Sequence, residues 1–276
     1  MSNTYIHNPD ADTVRLIQIT DPHLFKDTKS ELLGMNTEAS FTQVLTEVLQ
    51  SRYDYGFVLA TGDIVQDCSE QGYLRFCHKI NQLGKTVFWL PGNHDLQSKM
   101  VEILNHDHGN ISPAKQILAG RHWQILLLDS QVYGVPHGRL GQYQLEWLAA
   151  KLAEQPDRYV LVVLHHHLLS TNSAWLDQHN LRDAHELLQV LQGSAKVKGL
   201  VHGHIHQQVD ARWHGYYVMS TPSTCVQFKP DCNTFTLDYV QPGWREIELH
   251  ADGIITTRVK RIQQASFLPN MDEDGY

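Results

Sequence analysis

The chain has 276 residues, 42% of them hydrophobic, and a formal charge of −8 with no run of lysine or arginine. That size fits one large domain, read here as 1–276, and the acidic balance speaks against a polynucleotide partner, whose affinity comes from neutralised phosphates. The first residues, MSNTYIHNPDADTV, lack the apolar core of a signal peptide, and no apolar run approaches the roughly 18 residues of a membrane span, so the expectation is a cytoplasmic protein with no membrane partner.

Short apolar runs alternate with helix-patterned stretches. VRLIQIT (14–20), YGFVLAT (55–61), KTVFWL (85–90), WQILLLDS (123–130), RYVLVVL (158–164) and VKGLV (197–201) read as buried strands. Helices are predicted over 37–51, 69–83, 141–155 and 182–193. In the first of these, Phe41, Val44, Leu45, Val48 and Leu49 form one apolar stripe. The alternation implies an α/β sheet with helices outside it. From about residue 209 the pattern changes to strands without helices: WHGYYVMS, NTFTLDYV, WREIELH and IITTRVKRI, with a hairpin signal at ADG (251–253). The expectation is an antiparallel section over 209–264 packed on the first part, then a mobile acidic tail over 265–276. Cys68, Cys77, Cys225 and Cys232 make no C-x-x-C pair and read as free thiols, although a Cys225–Cys232 disulfide is conceivable.

The chemistry lies in the residues just past each strand. The first run gives Asp21-Pro22-His23, the second Gly62-Asp63 and the third Gly92-Asn93-His94-Asp95. The fifth gives His165-His166-His167 and the sixth Gly203-His204-Ile205-His206. Each piece has a plain reading alone, as a cap or turn residue. Together they place Asp, Asn or His after five of six strands, at the carboxyl edge where open α/β sheets bind ligands. Extended chain would also point His202, His204 and His206 to one side. The 18 histidines, against 8 Phe and 5 Met, fit the same idea, because imidazole is the commonest metal ligand. Asp21, His23, Asp63, Asn93, His165, His204 and His206 are too many donors for one ion. Two divalent transition ions roughly 3.5–4 Å apart, sharing a carboxylate, account for them and suit displacement at phosphorus.

The series D-x-H, G-D, G-N-H-D, H, G-H-x-H resembles the calcineurin-like metallophosphoesterases. The resemblance implies an α/β (α+β) fold, a four-layer α/β/β/α sandwich with the metal motifs spread over 14–208. It also implies two metal sites, one of Asp21, His23, Asp63 and His206 and one of Asp63, Asn93, His165 and His204. Asp63 would bridge them. His166 is the reserve for His165, and His202 lies outside the motif as a buried, hydrogen-bonded histidine. Imidazole and oxygen donors admit iron, manganese, zinc or cobalt, with iron and manganese the first expectation. His23, Asp63, Asn93, His94, His165 and His206 would face the substrate.

Over the whole chain, including LDSQVYGVPHG, WLDQHNLR and TPSTCVQFKP, the sequence resembles the bacterial class III 3′,5′-cyclic AMP phosphodiesterases. A small cyclic nucleotide is therefore the expected partner, with His94 protonating the departing 3′-oxygen. A phosphomonoesterase or another phosphodiesterase is the alternative. Gln66, followed by Asp67, stands where many relatives of the superfamily place an aspartate that orients this histidine, so its orienting group is open. Leu168 replaces a common proline. His137, Trp175 and the 221–229 segment are candidates for reading the base.

Overall fold

A computed structural model of the chain describes residues 4–106, 109–263, 267–273 and 275. The strands, in chain order, are β1 (Thr4–His7), β2 (Val14–Ile19), β3 (Glu31–Leu32), β4 (Met35–Asn36), β5 (Phe57–Ala60), β6 (Thr86–Trp89), β7 (Ile111–Ser112) and β8 (Gln116–Ala119). They continue as β9 (Trp123–Leu127), β10 (Tyr159–Val163), β11 (Val197–His202), β12 (Val209–Trp213), β13 (Tyr216–Ser220), β14 (Gly243–Leu249) and β15 (Ile255–Arg261). The α-helices are α1 (Thr37–Gln50), α2 (Glu70–Ile80), α3 (Gln97–Leu104), α4 (Gly141–Glu154) and α5 (Ala184–Gln192).

Two large sheets result, and β3 and β4 pair separately as a small two-stranded one. The first has the order β1-β8-β9-β10-β11-β13-β12 and the second β15-β14-β2-β5-β6-β7. Strands β2, β5 and β6 run parallel in one, and β9, β10 and β11 run parallel in the other. Alternate residues explain the layers. Ile17, Val58, Val87 and Trp89 turn outward to Phe41, Val44, Phe76 and Met100 of α1, α2 and α3. Leu16, Phe57, Leu59 and Phe88 turn inward to meet Ile125, Leu161, Val201 and Met219 of the opposite sheet. Val160, Val162 and Leu200 of that sheet face Leu148, Leu187 and Leu191 of α4 and α5. The stack is helices, sheet, sheet, helices, the four-layer α/β/β/α arrangement.

The six expected strands and four expected helices are all present. In α1 the Asn36 side chain caps the Ala39 N–H at 2.7 Å. Phe41, Val44, Leu45 and Val48 are buried, but Leu49 is 53% exposed, having rotated past the edge of the stripe. The C-terminal section is not a separate layer. The β12–β13 hairpin extends the first sheet beside β11, and the β14–β15 hairpin extends the second beside β2. Residues 233–240, expected as a strand, carry a single bridge between Phe228 and Leu237. Phe235 and Leu237 instead pack with Phe228 and Cys225 in a small apolar cluster. Within the expected tail, residues 265, 266, 274 and 276 lie outside the described residues. Phe267 and Met271 pack against that same cluster, and the Asn270 N–H donates to the Leu33 carbonyl at 2.8 Å. The four cysteines are free thiols. Among the described residues, no helix is long and apolar enough to cross a membrane.

Candidate metal centre

The carboxyl ends of β2, β5 and β6 meet those of β10 and β11 at the seam between the sheets. The chain leaves these strands in unusual backbone conformations. Asp21 (φ 53°), His23 (46°), Asp63 (49°), His204 (72°) and His206 (51°) all lie in the left-handed region. None is glycine, and each such residue costs of order 1–3 kcal/mol unless its surroundings hold it there. Here backbone bonds zip the two loops together. The Asp21 N–H donates to Gly62 O at 3.1 Å, His23 N–H to Asp63 O at 3.0 Å and Leu24 N–H to Ile64 O at 3.0 Å. The H-x-H spacing thus works through left-handed turns, and the expectation of extended chain at 202–206 fails beyond His202, which ends β11.

Two motif glycines are explained by close approach. A Cβ on Gly92 would stand 2.1 Å from Asp63 Oδ1, and one on Gly203 would stand 2.1 Å from Thr20 Oγ1 and 2.6 Å from Asp21 Oδ2. No side chain fits either place without displacing a candidate ligand.

On one side of Asp63, His23 and His206 bring their Nε2 atoms to 3.2 Å. The other nitrogens are taken. His206 Nδ1 donates to Val226 O at 2.9 Å, and His23 Nδ1 lies 2.6 Å from Gln66 Oε1. Both Nε2 atoms therefore present lone pairs to one point, with Asp21 Oδ1 at 3.6 Å from His206 and Asp63 Oδ2 at 3.7 Å from His23. Burial drives the His23 pKa down to about 3, against the pull of Asp63, so its ring is neutral. The Asp21 carboxylate also accepts from Thr20 Oγ1 at 2.6 Å and from the His204 N–H. Burial alone would raise its pKa, but His206 and His165 hold it below the ordinary value.

On the other side, His165 Nδ1 donates to Thr61 O at 2.8 Å. Its Nε2 faces Asp63 Oδ2 at 3.3 Å and Asn93 Oδ1 at 3.2 Å. Burial opposes charge on this ring, yet the adjacent Asp63 carboxylate pushes its pKa up to about 9: the pocket attracts a positive charge. Burial likewise works against the Asp63 charge, and His165 and His94 hold its pKa well below the usual carboxylate range. His204 lies beside His165, with ring centroids 5.0 Å apart, and both its nitrogens are buried without a hydrogen-bond partner. Donor groups close enough to share an ion are Asp21–His23–His206, Asp21–Asp63–His165, His23–Asp63–His94 and His165–His166–His204. Converging lone pairs, carboxylates and unpartnered imidazole nitrogens fit a pair of cations, whose ligands such side chains are.

The histidine run divides by environment. His165 turns to Asp63 and Asn93. His166 puts Nδ1 on Ser130 Oγ at 2.7 Å, with Nε2 buried and unpartnered. His167 stacks on His204 at 5.5 Å, and its Nε2 lies 3.8 Å from Asp177. His202 is buried, with Nδ1 2.9 Å from Gly203 O. The His94 N–H donates to Asp63 Oδ1 at 2.8 Å, and its ring meets His23 edge-on at 5.1 Å. Gln66 serves His23, and Asp67 accepts from the backbone N–H groups of Lys26 and Ser69. Asp95 braces the same loop, accepting from the N–H groups of Gly92 (2.9 Å), Ile64 and Val65 and from Tyr73 Oη. Burial, with repulsion from Asp63, pushes its pKa up to about 7.

A cavity of about 360 Å³ opens over the centre, within the range of small-molecule sites. Asp63, Asn93, His94 and His204 form its polar floor, and Val135, Pro136, Trp175, Leu176, His179 and Phe228 line its wall. His23, His165 and His206 are buried behind that floor. Trp175 and Phe228, both in segments named from the sequence, reach the cavity; His137 does not line it. Thr20, Thr61 and Gln18 had no sequence signal, and Gln66, named from the sequence beside the question of what orients His94, turns to His23 instead. The first three are polar residues next to motif positions, visible only once the two sheets are docked.

Comparison with known proteins agrees with this architecture. The model of the calcineurin-like phosphoesterase family matches residues 14–208. A Haemophilus influenzae protein named 3′,5′-cyclic adenosine monophosphate phosphodiesterase CpdA is 60% identical over 276 residues, covering all of both chains. The Escherichia coli K12 protein of that name is 51% identical over 263 residues, 95% of each. Among solved structures, a dimetal phosphatase from Danio rerio superposes with a TM-score of 0.59 over 91% of this chain and 99% of its own, at 14% identity, a likeness of fold alone. With the motif residues gathered on one seam and a family match across it, this chain belongs to the calcineurin-like phosphoesterases.

Proposed function

We propose that the chain hydrolyses 3′,5′-cyclic AMP to 5′-AMP at a dinuclear metal centre. The observation that carries the reading is the gathering of six donors about a seventh, Asp63, beneath a cavity with a polar floor and an aromatic wall. Likeness over the full length to proteins named for that activity supports it. Asp21, His23, Asp63 and His206 would hold one ion and Asp63, Asn93, His165 and His204 the other, with iron or manganese suiting the imidazole and oxygen donors. When bound, such ions supply positive charge for the phosphate and a water acidified to a pKa near about 7.

The chain's own residues do the rest. Gln66, Val226 O and Thr61 O fix which nitrogen His23, His206 and His165 present. Asn93 turns Oδ1 to His165 and keeps its amide N–H for a phosphoryl oxygen. His94, half-buried at the cavity floor and tied through its backbone to Asp63, protonates the departing 3′-oxygen.

Turnover of cyclic AMP, cyclic GMP, 5′-AMP and a phosphopeptide on one metal-analysed preparation tests the reading. Release of phosphate from the monoesters with cyclic nucleotides untouched would overturn it. For His94, the variant His94→Ala should lose roughly 10²–10⁴-fold on cyclic AMP but much less on bis(4-nitrophenyl) phosphate, whose phenolate needs little protonation. Equal losses on both would assign His94 a positioning role.

A further inference from the structure

We propose that His179 binds the ribose of the nucleotide, hydrogen-bonding its 2′-hydroxyl while the cyclic phosphate lies over Asp63; this rests on the cyclic-nucleotide reading above. A 3′,5′-cyclic nucleotide has three parts in a row: the phosphate, the ribose fused to it, and the base beyond. Its 3′ and 5′ oxygens are esterified, so the 2′-hydroxyl is the one free hydroxyl on the sugar. In the cavity Asp63, Asn93, His94 and His204 make a polar floor for the phosphate, and Trp175, Phe228, Val135 and Pro136 make an apolar wall for the base. His179 stands between the two. Its ring centroid lies 6.1 Å from that of His204 on the floor and 6.2 Å from that of Trp175 on the wall.

His179 is the polar group that the wall leaves open. Val135, Pro136, Leu176 and Phe228 carry no polar side-chain atom, and the Trp175 Nε1 is sealed from solvent. His179 is half-buried and has no hydrogen-bond partner among the described residues, yet neither of its ring nitrogens is sealed in the same way. The nitrogens of His204 beneath it are closed off. The backbone around His179 is fixed. The residue ends a 3-10 turn, Leu176–His179, in which the Leu176 N–H donates to Ser173 O at 3.0 Å. Just beyond, Asn180 O accepts from the Gly138 N–H at 3.2 Å, and the Leu181 N–H donates to His167 O at 2.9 Å. The ring is thus carried to a set place while its nitrogens stay uncommitted, so little ordering is left to a ligand that meets them. A neutral imidazole donates from one nitrogen and accepts at the other, and a hydroxyl answers either.

The test is the ratio of kcat/KM for cyclic AMP to kcat/KM for 2′-deoxy-cyclic AMP, measured in wild type and in His179→Phe. Phenylalanine keeps a ring beside Trp175 and His204 and removes both nitrogens. Any change the variant makes to metal loading or to the cavity at large lowers both substrates and cancels in the ratio. In wild type the ratio should be roughly ten, the worth of one hydrogen bond. In His179→Phe it should fall several-fold, because the two losses remove the same contact and do not add. The 2′-oxygen also draws electrons from the 3′-leaving group, and that effect survives in the variant, so the fall in the ratio is the measure and not its final value. His179→Ala, which leaves space in place of the ring, is read in the same way. A wild-type ratio near one, which needs no variant to detect, or a ratio unchanged between wild type and either variant, would overturn the assignment. Wild type turning over no cyclic nucleotide at all would overturn the functional reading, and the assignment with it.

Discussion

Gln18→Leu probes how the two sheets are joined behind the site. Gln18 is fully buried on β2. Its Nε2 donates to Thr61 Oγ1 at 2.8 Å and to His202 O at 3.1 Å, and its Oε1 accepts from the Thr221 hydroxyl. One amide thus ties β2 to the ends of β5 and β11 and to the residue after β13. Leucine has similar bulk and removes all three bonds. His202 O keeps the Thr221 N–H, and Thr221 Oγ1 keeps the Arg245 Nε–H. The Thr221 hydroxyl proton and the Thr61 oxygen lose their partner. At about 1–3 kcal/mol for each buried group left unmatched, less roughly 1–2 kcal/mol for the apolar replacement, the net loss is about 2 kcal/mol. That corresponds to a fall in Tm of roughly 5 °C for a chain of this size. Function should suffer as well, because Thr61 O holds His165 Nδ1. Scanning calorimetry with metal analysis of the same sample reads both effects. A Gln18→Leu protein that melts within 1 °C of wild type and keeps its full metal content would refute the argument.

Asp63→Ala should lower metal content more than loss of any other single ligand, and a variant that kept two ions per chain would sink the bridging role. His165→Ala should abolish turnover, while His167→Ala, which removes only the ring stacked on His204, should retain part of it; comparable losses would mean that both rings bind metal. Lys115 packs its Nζ 3.6 Å from the centre of the Trp89 ring, and burial lowers its pKa to about 7 against the pull of Asp129. Below that pH both folded and unfolded chains hold the proton and the penalty is fully present. Between about 7 and the unfolded value of about 10.4 the unfolded chain binds more protons, so stability rises with pH. Urea unfolding at pH 7 and pH 9 should show a larger gain for wild type than for Lys115→Met, and equal gains would contradict this.

The motif residues were legible because each comes just after a buried apolar run. The chemistry of Asp, Asn and His at strand ends can be read without knowing how the strands pair. That β2, β5 and β6 belong to one sheet and β10 and β11 to another could not be read from the runs themselves. Both sets are buried on two faces and look alike in sequence. The helix at 97–104 was missed because it is short and has no capping side chain. The segment 233–240 alternates like a strand, but Phe235 and Leu237 serve a local cluster instead of a sheet. His202 and His204 differ by one turn of backbone, and only the left-handed φ of His204 separates a packed ring from a candidate ligand.

The seam position of the centre makes it a mechanical joint. Asp21, His23, Asp63 and Asn93 leave strands of one sheet, and His165, His204 and His206 leave strands of the other. On the proposed ligand sets each ion would be gripped from both slabs, so a pair of ions would act as rivets against sliding of one sheet over the other. Slippage of an ångström between the slabs would spoil both coordination shells together. Loading the centre should therefore stiffen the whole sandwich, with slower amide exchange reaching β12 and β15 at the far edges.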